Sequence, residues 1–146
     1  MDAGDVPGQA ALAARLRQEW PKLDILRPMP PTSSLPIEAW TEEAFDRFLA
    51  TNFKSPFFLI RDLLPLFSQR SSVILVGSVS AYIGHENTTV YGAAKAGLLS
   101  YTRGLTYELK DHGIRLNGLS PGPSKQPVHS QAVSTPPEPA RTPLHR

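Results

Sequence analysis

The run "SSVILVGS" at residues 71–78 constrains the fold of this chain most. Its apolar residues are continuous and largely β-branched, the pattern of a strand buried on both faces. The stretches around it alternate in character. "AALAARLRQEW" predicts a short Ala/Leu helix, and "KLDIL" after it a short strand. Thr41 predicts the N-cap of a long helix, with Glu42 and Glu43 in the first turn, where the positive end of the helix dipole favours them. Phe45, Phe48, Leu49, Phe53, Phe57, Ile60, Leu63, Leu64 and Phe67 recur along it at helical spacing. A further helix is predicted over 89–111 and stopped by Gly113, and "IRLNGLSPG" reads as another strand ending in a turn. This order of helix, strand, helix, strand, helix, strand predicts an α/β fold. It is a parallel sheet with right-handed crossovers and helices on both faces. Ligands of such sheets sit beyond the carboxyl ends of the strands. Ser78, the Pro121-Gly122 turn and the start of the helix carrying Tyr91 all fall on that rim.

The chain has 146 residues, 40% hydrophobic and 19% charged, enough for one soluble globular domain with a modest core. A net charge of +2 without a dense Lys/Arg run argues against a nucleic-acid partner. No cysteine is present, so there is no disulfide framework or thiolate metal site, which fits a cytoplasmic protein. His85, His112, His129 and His145 are scattered, and no metal site is expected. The first residues are acidic and lack an apolar core, so no signal peptide is read there. The longest apolar stretch, "SPFFLIRDLLPLF", is interrupted by Arg61 and Asp62, which argues against a membrane span. The 15 prolines crowd into "RPMPPTSSLP", which must be irregular, and into the C-terminal part. There, residues 125–146 lack apolar periodicity and read as a Pro-rich disordered tail.

"YGAAK" places Tyr91 and Lys95 four apart on a predicted helix, on one face and about 5–6 Å apart at Cβ. A free phenol titrates near about pH 10, and a neighbouring ammonium lowers that value toward the range of acid/base work. A hydroxyl beside the phenol, to hold a carbonyl oxygen, completes a site for hydride transfer to or from carbon. Ser78 can supply it from the end of its strand, with Ser80 as the competing hydroxyl. Taken alone, a Tyr-x-x-x-Lys is more often an ordinary surface pair. Asn52 precedes Pro56 by four residues, and Pro56 has no N–H to offer the Asn52 carbonyl. That freed carbonyl can hold a water.

These residues together resemble the short-chain dehydrogenase/reductase family. Tyr91 and Lys95 match its Tyr-x-x-x-Lys, and Ser78 stands thirteen positions before Tyr91, where the family has its serine. Asn52 is similar to the family's helix asparagine, and "RLNGLSPG" to its strand and Pro-Gly turn beside the nicotinamide. The resemblance implies a partial doubly wound, Rossmann-like sheet over 1–124 and a site of Asn52, Ser78, Tyr91 and Lys95. It implies NAD or NADP held by Tyr91, Lys95, Pro121 and Gly122, and a small-molecule alcohol or carbonyl substrate. A homodimer through the two long helices is a further implication. Tyr91 would be the general acid/base, Lys95 would lower its pKa and bind the ribose, Ser78 would polarise the carbonyl and Asn52 would hold the relay water.

The chain departs from the family pattern in three places. It has no strand followed by a glycine-rich phosphate turn, "RPMPPTSS" stands where Asn-Asn-Ala-Gly is usual, and Gln126 stands near the place of a pyrophosphate-binding threonine. The sequence therefore also admits a catalytically inactive truncated fragment that at most associates with full-length relatives.

Overall fold

The computed structural model describes residues 4–28 and 35–123; the predicted disordered tail, 125–146, and part of the Pro-rich segment lie outside them. Helix α1, Val6–Glu19, leads into strand β1, Leu23–Leu26. Helix α2, Glu42–Leu49, passes through a π-helical segment, Ala50–Lys54, into α3, Ser55–Leu63. Strand β2, Phe67–Val76, helix α4, Thr89–Leu109, and strand β3, Arg115–Leu119, complete the chain of elements. The strands lie in the order β1-β2-β3, all parallel.

Local chemistry accounts for the boundaries. Thr41 Oγ1 accepts the Ala44 N–H at 3.1 Å and caps α2 as expected. Gly113, at φ 70°, takes the left-handed conformation that closes the turn after α4. Helix α1 starts at Val6, earlier than expected, because Pro7 occupies a first-turn position where its missing N–H costs nothing. Phe67, expected on the long helix, opens β2 instead, since Pro65 ends the helical run in a short turn, Leu64–Leu66.

The open parallel sheet is as predicted, but its coverage is not. Among the described residues α1, α3 and α4 pack into one core on one side of the sheet. That core joins Ala13, Ile60, Leu63, Val73, Leu75, Leu105, Leu109 and Leu116. The expected helices on both faces are corrected to helices on one. Two right-handed crossovers that step the same way across a sheet put their helices on the same side. Strand β2 correspondingly alternates: Ser71, Val73 and Leu75 are buried, while Ser72, Ile74 and Val76 are part-exposed. The other side carries Ile25, 67% exposed, and Leu119, 49% exposed. In register, Ile25 lies beside Ser72 and Val76 beside Leu119.

The apolar residues of α4 are largely absorbed within the chain. Leu98, Leu105 and Leu109 are buried, and Tyr101 stacks on Phe53 at 4.6 Å and leans on Phe57 at 5.4 Å. No helix among the described residues is long and apolar enough to cross a membrane.

Candidate active site

The carboxyl ends of β2 and β3 are stitched together just where the sequence places its candidates. The Gly77 N–H donates to the Leu119 carbonyl at 2.7 Å and the Val79 N–H to the Pro121 carbonyl at 3.0 Å. Ser78 lies between these two bonds, so the Pro121-Gly122 turn is drawn beside it. Its side chain is buried, and Oγ accepts the Ser80 N–H at 3.2 Å, which leaves the hydroxyl proton available to a ligand. Ser78 therefore caps the tight turn Val79–Ala81. Ser80 lines an open hollow of about 420 Å³ with Tyr82, His85, Gly92 and Ala96.

Helix α4 packs its first turns against that turn and against the π segment. Lys95 is 2% exposed, and its Nζ donates to the Val76 carbonyl at 2.9 Å. Among the described residues no carboxylate lies within ion-pair distance of it. Burial alone lowers its pKa from 10.5 to about 8. The ammonium stands 5.5 Å from the centre of the Tyr91 ring, so these two candidates meet as the spacing implied. On its other contact the ring of Tyr91 meets Phe48 edge-on, with centroids 6.4 Å apart.

Asn52 sits in the π segment and is 1% exposed. Its Nδ2 donates to the Phe48 carbonyl at 3.2 Å, while Oδ1 is buried without a partner. Pro56, buried in the first turn of α3, cannot donate to the Asn52 carbonyl, and the backbone widens locally to an i→i+5 bond from Ser55 to Ala50. Gly97 lets α4 approach this segment: a Cβ there would lie 2.4 Å from the Phe53 ring. Asn52 and Lys95 thus come from facing elements. No direct hydrogen bond joins any two of Asn52, Ser78, Tyr91 and Lys95.

The Val76 carbonyl and the Phe48 ring belong to this site but were not singled out in the sequence. A backbone acceptor has no signature in the letters. Phe48 stands four before Asn52, and that helical spacing was the available signal.

Comparison with known proteins agrees with this architecture. A family model described as enoyl-(acyl carrier protein) reductase matches residues 1–142. The chain is 40% identical over 92 residues to glucose and ribitol dehydrogenase homolog 2 of Arabidopsis thaliana, covering 63% of this chain and 32% of that protein. It is equally similar, at 40% over 92 residues and with the same coverage, to NADPH-dependent aldehyde reductase 1, chloroplastic, of the same plant. The crystal structure of a short-chain dehydrogenase/reductase, glucose/ribitol dehydrogenase, from Brucella melitensis superposes with a TM-score of 0.78 at 28% identity. That alignment covers 84% of this chain and 50% of the other. The chain therefore spans about a third of these curated relatives and half of that solved structure. With three parallel strands, a buried lysine beside a tyrosine and a family model matching nearly its full length, the chain belongs to the short-chain dehydrogenase/reductase family.

Proposed function

We propose that this chain takes part in NAD(P)-dependent reduction of a carbonyl, or oxidation of an alcohol, with Ser78, Tyr91, Lys95 and Asn52 as its working residues. The observation that carries this reading is Lys95. A lysine buried to 2% exposure without a carboxylate is costly to a fold, and such groups concentrate at functional sites. Its one hydrogen bond, to Val76, leaves two ammonium protons to offer.

Each group has a task that its surroundings support. The Tyr91 phenol gives or takes a proton at the substrate oxygen, and the Lys95 ammonium stands 5.5 Å from the centre of its ring. Ser78 donates its free hydroxyl proton to the same oxygen and holds it near the phenol. Asn52, with an unpartnered buried Oδ1 and a carbonyl that Pro56 cannot serve, is suited to bind a water behind Lys95 and so return protons to solvent. When bound, the nicotinamide supplies or accepts the hydride. The residues present fit its nicotinamide-ribose end: Lys95 has donors to spare, and among the described residues nothing lies within 4 Å of where a Cβ on Gly122 would be. No glycine-rich phosphate turn occurs in this sequence. A homodimer through the two long helices, the α2–α3 run and α4, is part of the same proposal, with Tyr107, 76% exposed on α4, at its surface.

Titration with NADPH and NADH, followed by nucleotide fluorescence, tests the reading; aldehydes are the first substrates to try, by analogy with the plant aldehyde reductase. Binding of either nucleotide is expected, and Tyr91→Phe is expected to keep binding while turnover falls about 100-fold or more. Absence of binding at millimolar nucleotide would sink the proposal. Full turnover by Tyr91→Phe would remove the tyrosine from it.

A further inference from the structure

Tyr91 stands in the first turn of α4 and is part-exposed. Lys95 belongs to the same helix and moves with it. Phe48 is the aromatic contact from another element, and a chain of interactions runs behind it. Phe48 is buried and meets the edge of Trp40 at 5.5 Å. The indole N–H of Trp40 donates to the Leu35 carbonyl at 3.2 Å, and the Leu35 N–H donates to the Asn87 carbonyl at 3.1 Å. Asn87, at φ 60°, forms the left-handed turn immediately before Thr88, the residue that opens α4.

The circuit therefore closes on itself. It leaves α4 at its N-terminus, passes through Asn87, Leu35, Trp40 and Phe48, and returns to α4 at Tyr91. Phe48 also receives the Asn52 side chain on its carbonyl, so one residue touches both the tyrosine and the buried asparagine.

Trp40 is poorly placed to be simple core. It is part-exposed and forms a wall between two open hollows, of about 320 Å³ on the Ala44–Arg47 side and about 750 Å³ on the Ile37–Val90 side. It is tied down by its N–H and by its edge-on contacts with Phe45 and Phe48.

We propose that Phe48 and Trp40 are positioning residues for Tyr91, forming an aromatic latch that sets the direction of the phenol on the rim. The proposal rests on Tyr91 being the acid/base group; Phe48 and Trp40 act through it and not on substrate. Proton transfer demands alignment within hydrogen-bond reach, and a misplacement of about 1 Å can cost on the order of 100-fold in rate.

The test uses the full chain with ring-13C tyrosine, observed by NMR. Tyr91→Phe assigns the Tyr91 signal, and the exposed Tyr82 and Tyr107 mark where an unrestrained ring resonates. In Trp40→Leu the Tyr91 signal is expected to move toward those two, while cooperative unfolding is retained. Trp40→Phe, which keeps an aromatic edge but loses the N–H, should move it part of the way. Phe48→Leu should move it furthest. Should Trp40→Leu fail to fold, Trp40→Phe against the wild type gives the same reading. In parallel, kcat is expected to fall about 10- to 100-fold in Trp40→Leu, with the KM for nucleotide held. A Tyr91 signal unmoved in folded Trp40 variants overturns the latch, and turnover persisting beside it leaves the redox proposal standing. A signal that moves in a chain showing neither nucleotide binding nor turnover supports the latch and sinks the redox proposal.

Discussion

Gly92→Ala and Gly104→Ala place the same methyl group on the same helix, and their effects on stability should be opposite in sign. At Gly92 a Cβ would lie 2.6 Å from the Ser80 carbonyl oxygen. A carbon–oxygen contact without strain needs about 3.3–3.6 Å, so roughly 0.8 Å must be opened. Neither side yields readily. The Gly92 N–H makes the first bond of α4, to the Thr88 carbonyl at 2.6 Å, and the Ser80 carbonyl belongs to a turn held at both ends. The Val79 N–H is bonded to Pro121 and the Ala81 N–H to Ser78. Overpacking of this kind costs about 1–3 kcal/mol, against about 1 kcal/mol that alanine gains over glycine in a helix. With backbone held on both sides the cost lies in the upper half of that range, about 2–3 kcal/mol, so the net loss is about 1–2 kcal/mol, a fall in melting temperature of roughly 3–10 °C. At Gly104 nothing among the described residues lies within 4 Å of the added carbon, so the helix-propensity gain of about 0.5–1 kcal/mol stands alone. Thermal and urea unfolding of the three proteins, followed by far-ultraviolet circular dichroism, reads the difference. A Gly92→Ala protein as stable as Gly104→Ala would refute the close packing of α4 on the Ser78 turn.

Two further outcomes follow from the same structure. Thr41→Ala removes the acceptor of the Ala44 N–H and should cost about 1 kcal/mol in urea unfolding; an unchanged midpoint would mean the cap contributes nothing. Lys95 titrates at its ordinary 10.5 when unfolded and at about 8 in the fold. Below about pH 8 both states hold the proton and the fold bears the buried charge. Between these two values the folded state gives up its proton first, so stability rises with pH, by on the order of 3 kcal/mol. Lys95→Met should abolish that rise, seen as the difference between wild-type and variant unfolding free energies at several pH values; parallel curves would contradict it.

Elements with a local cause were legible in the sequence. Thr41 and Gly113 mark helix ends through their own hydrogen bonding and conformation, and the strand, helix and strand around 71–122 follow from periodicity. Elements decided by distant packing were not. The π segment depends on Pro56 and on Gly97 admitting Phe53, residues that meet only in the folded chain. The run "SSVILVGS" reads as doubly buried because a continuous apolar strand looks the same whether or not a second layer covers it. At the site, the Tyr91–Lys95 spacing was readable because a helix fixes it. The Val76 carbonyl on Lys95 and the Trp40–Phe48–Tyr91 contacts cross from one element to another, which spacing within a single helix cannot convey.

The bare side of the sheet lowers the heat capacity of unfolding. That increment arises from apolar surface newly wetted, roughly 12–15 cal/mol/K per residue in domains of ordinary burial. Ile25 and Leu119, and in part Ile74 and Val76, already meet water in the folded state and add little to it. The denaturant slope, which follows the same area, is reduced with it. A small increment flattens the curve of stability against temperature, so this fold has a broad maximum and loses little on cooling. An apolar layer laid on that side would raise the maximum and sharpen the curve together.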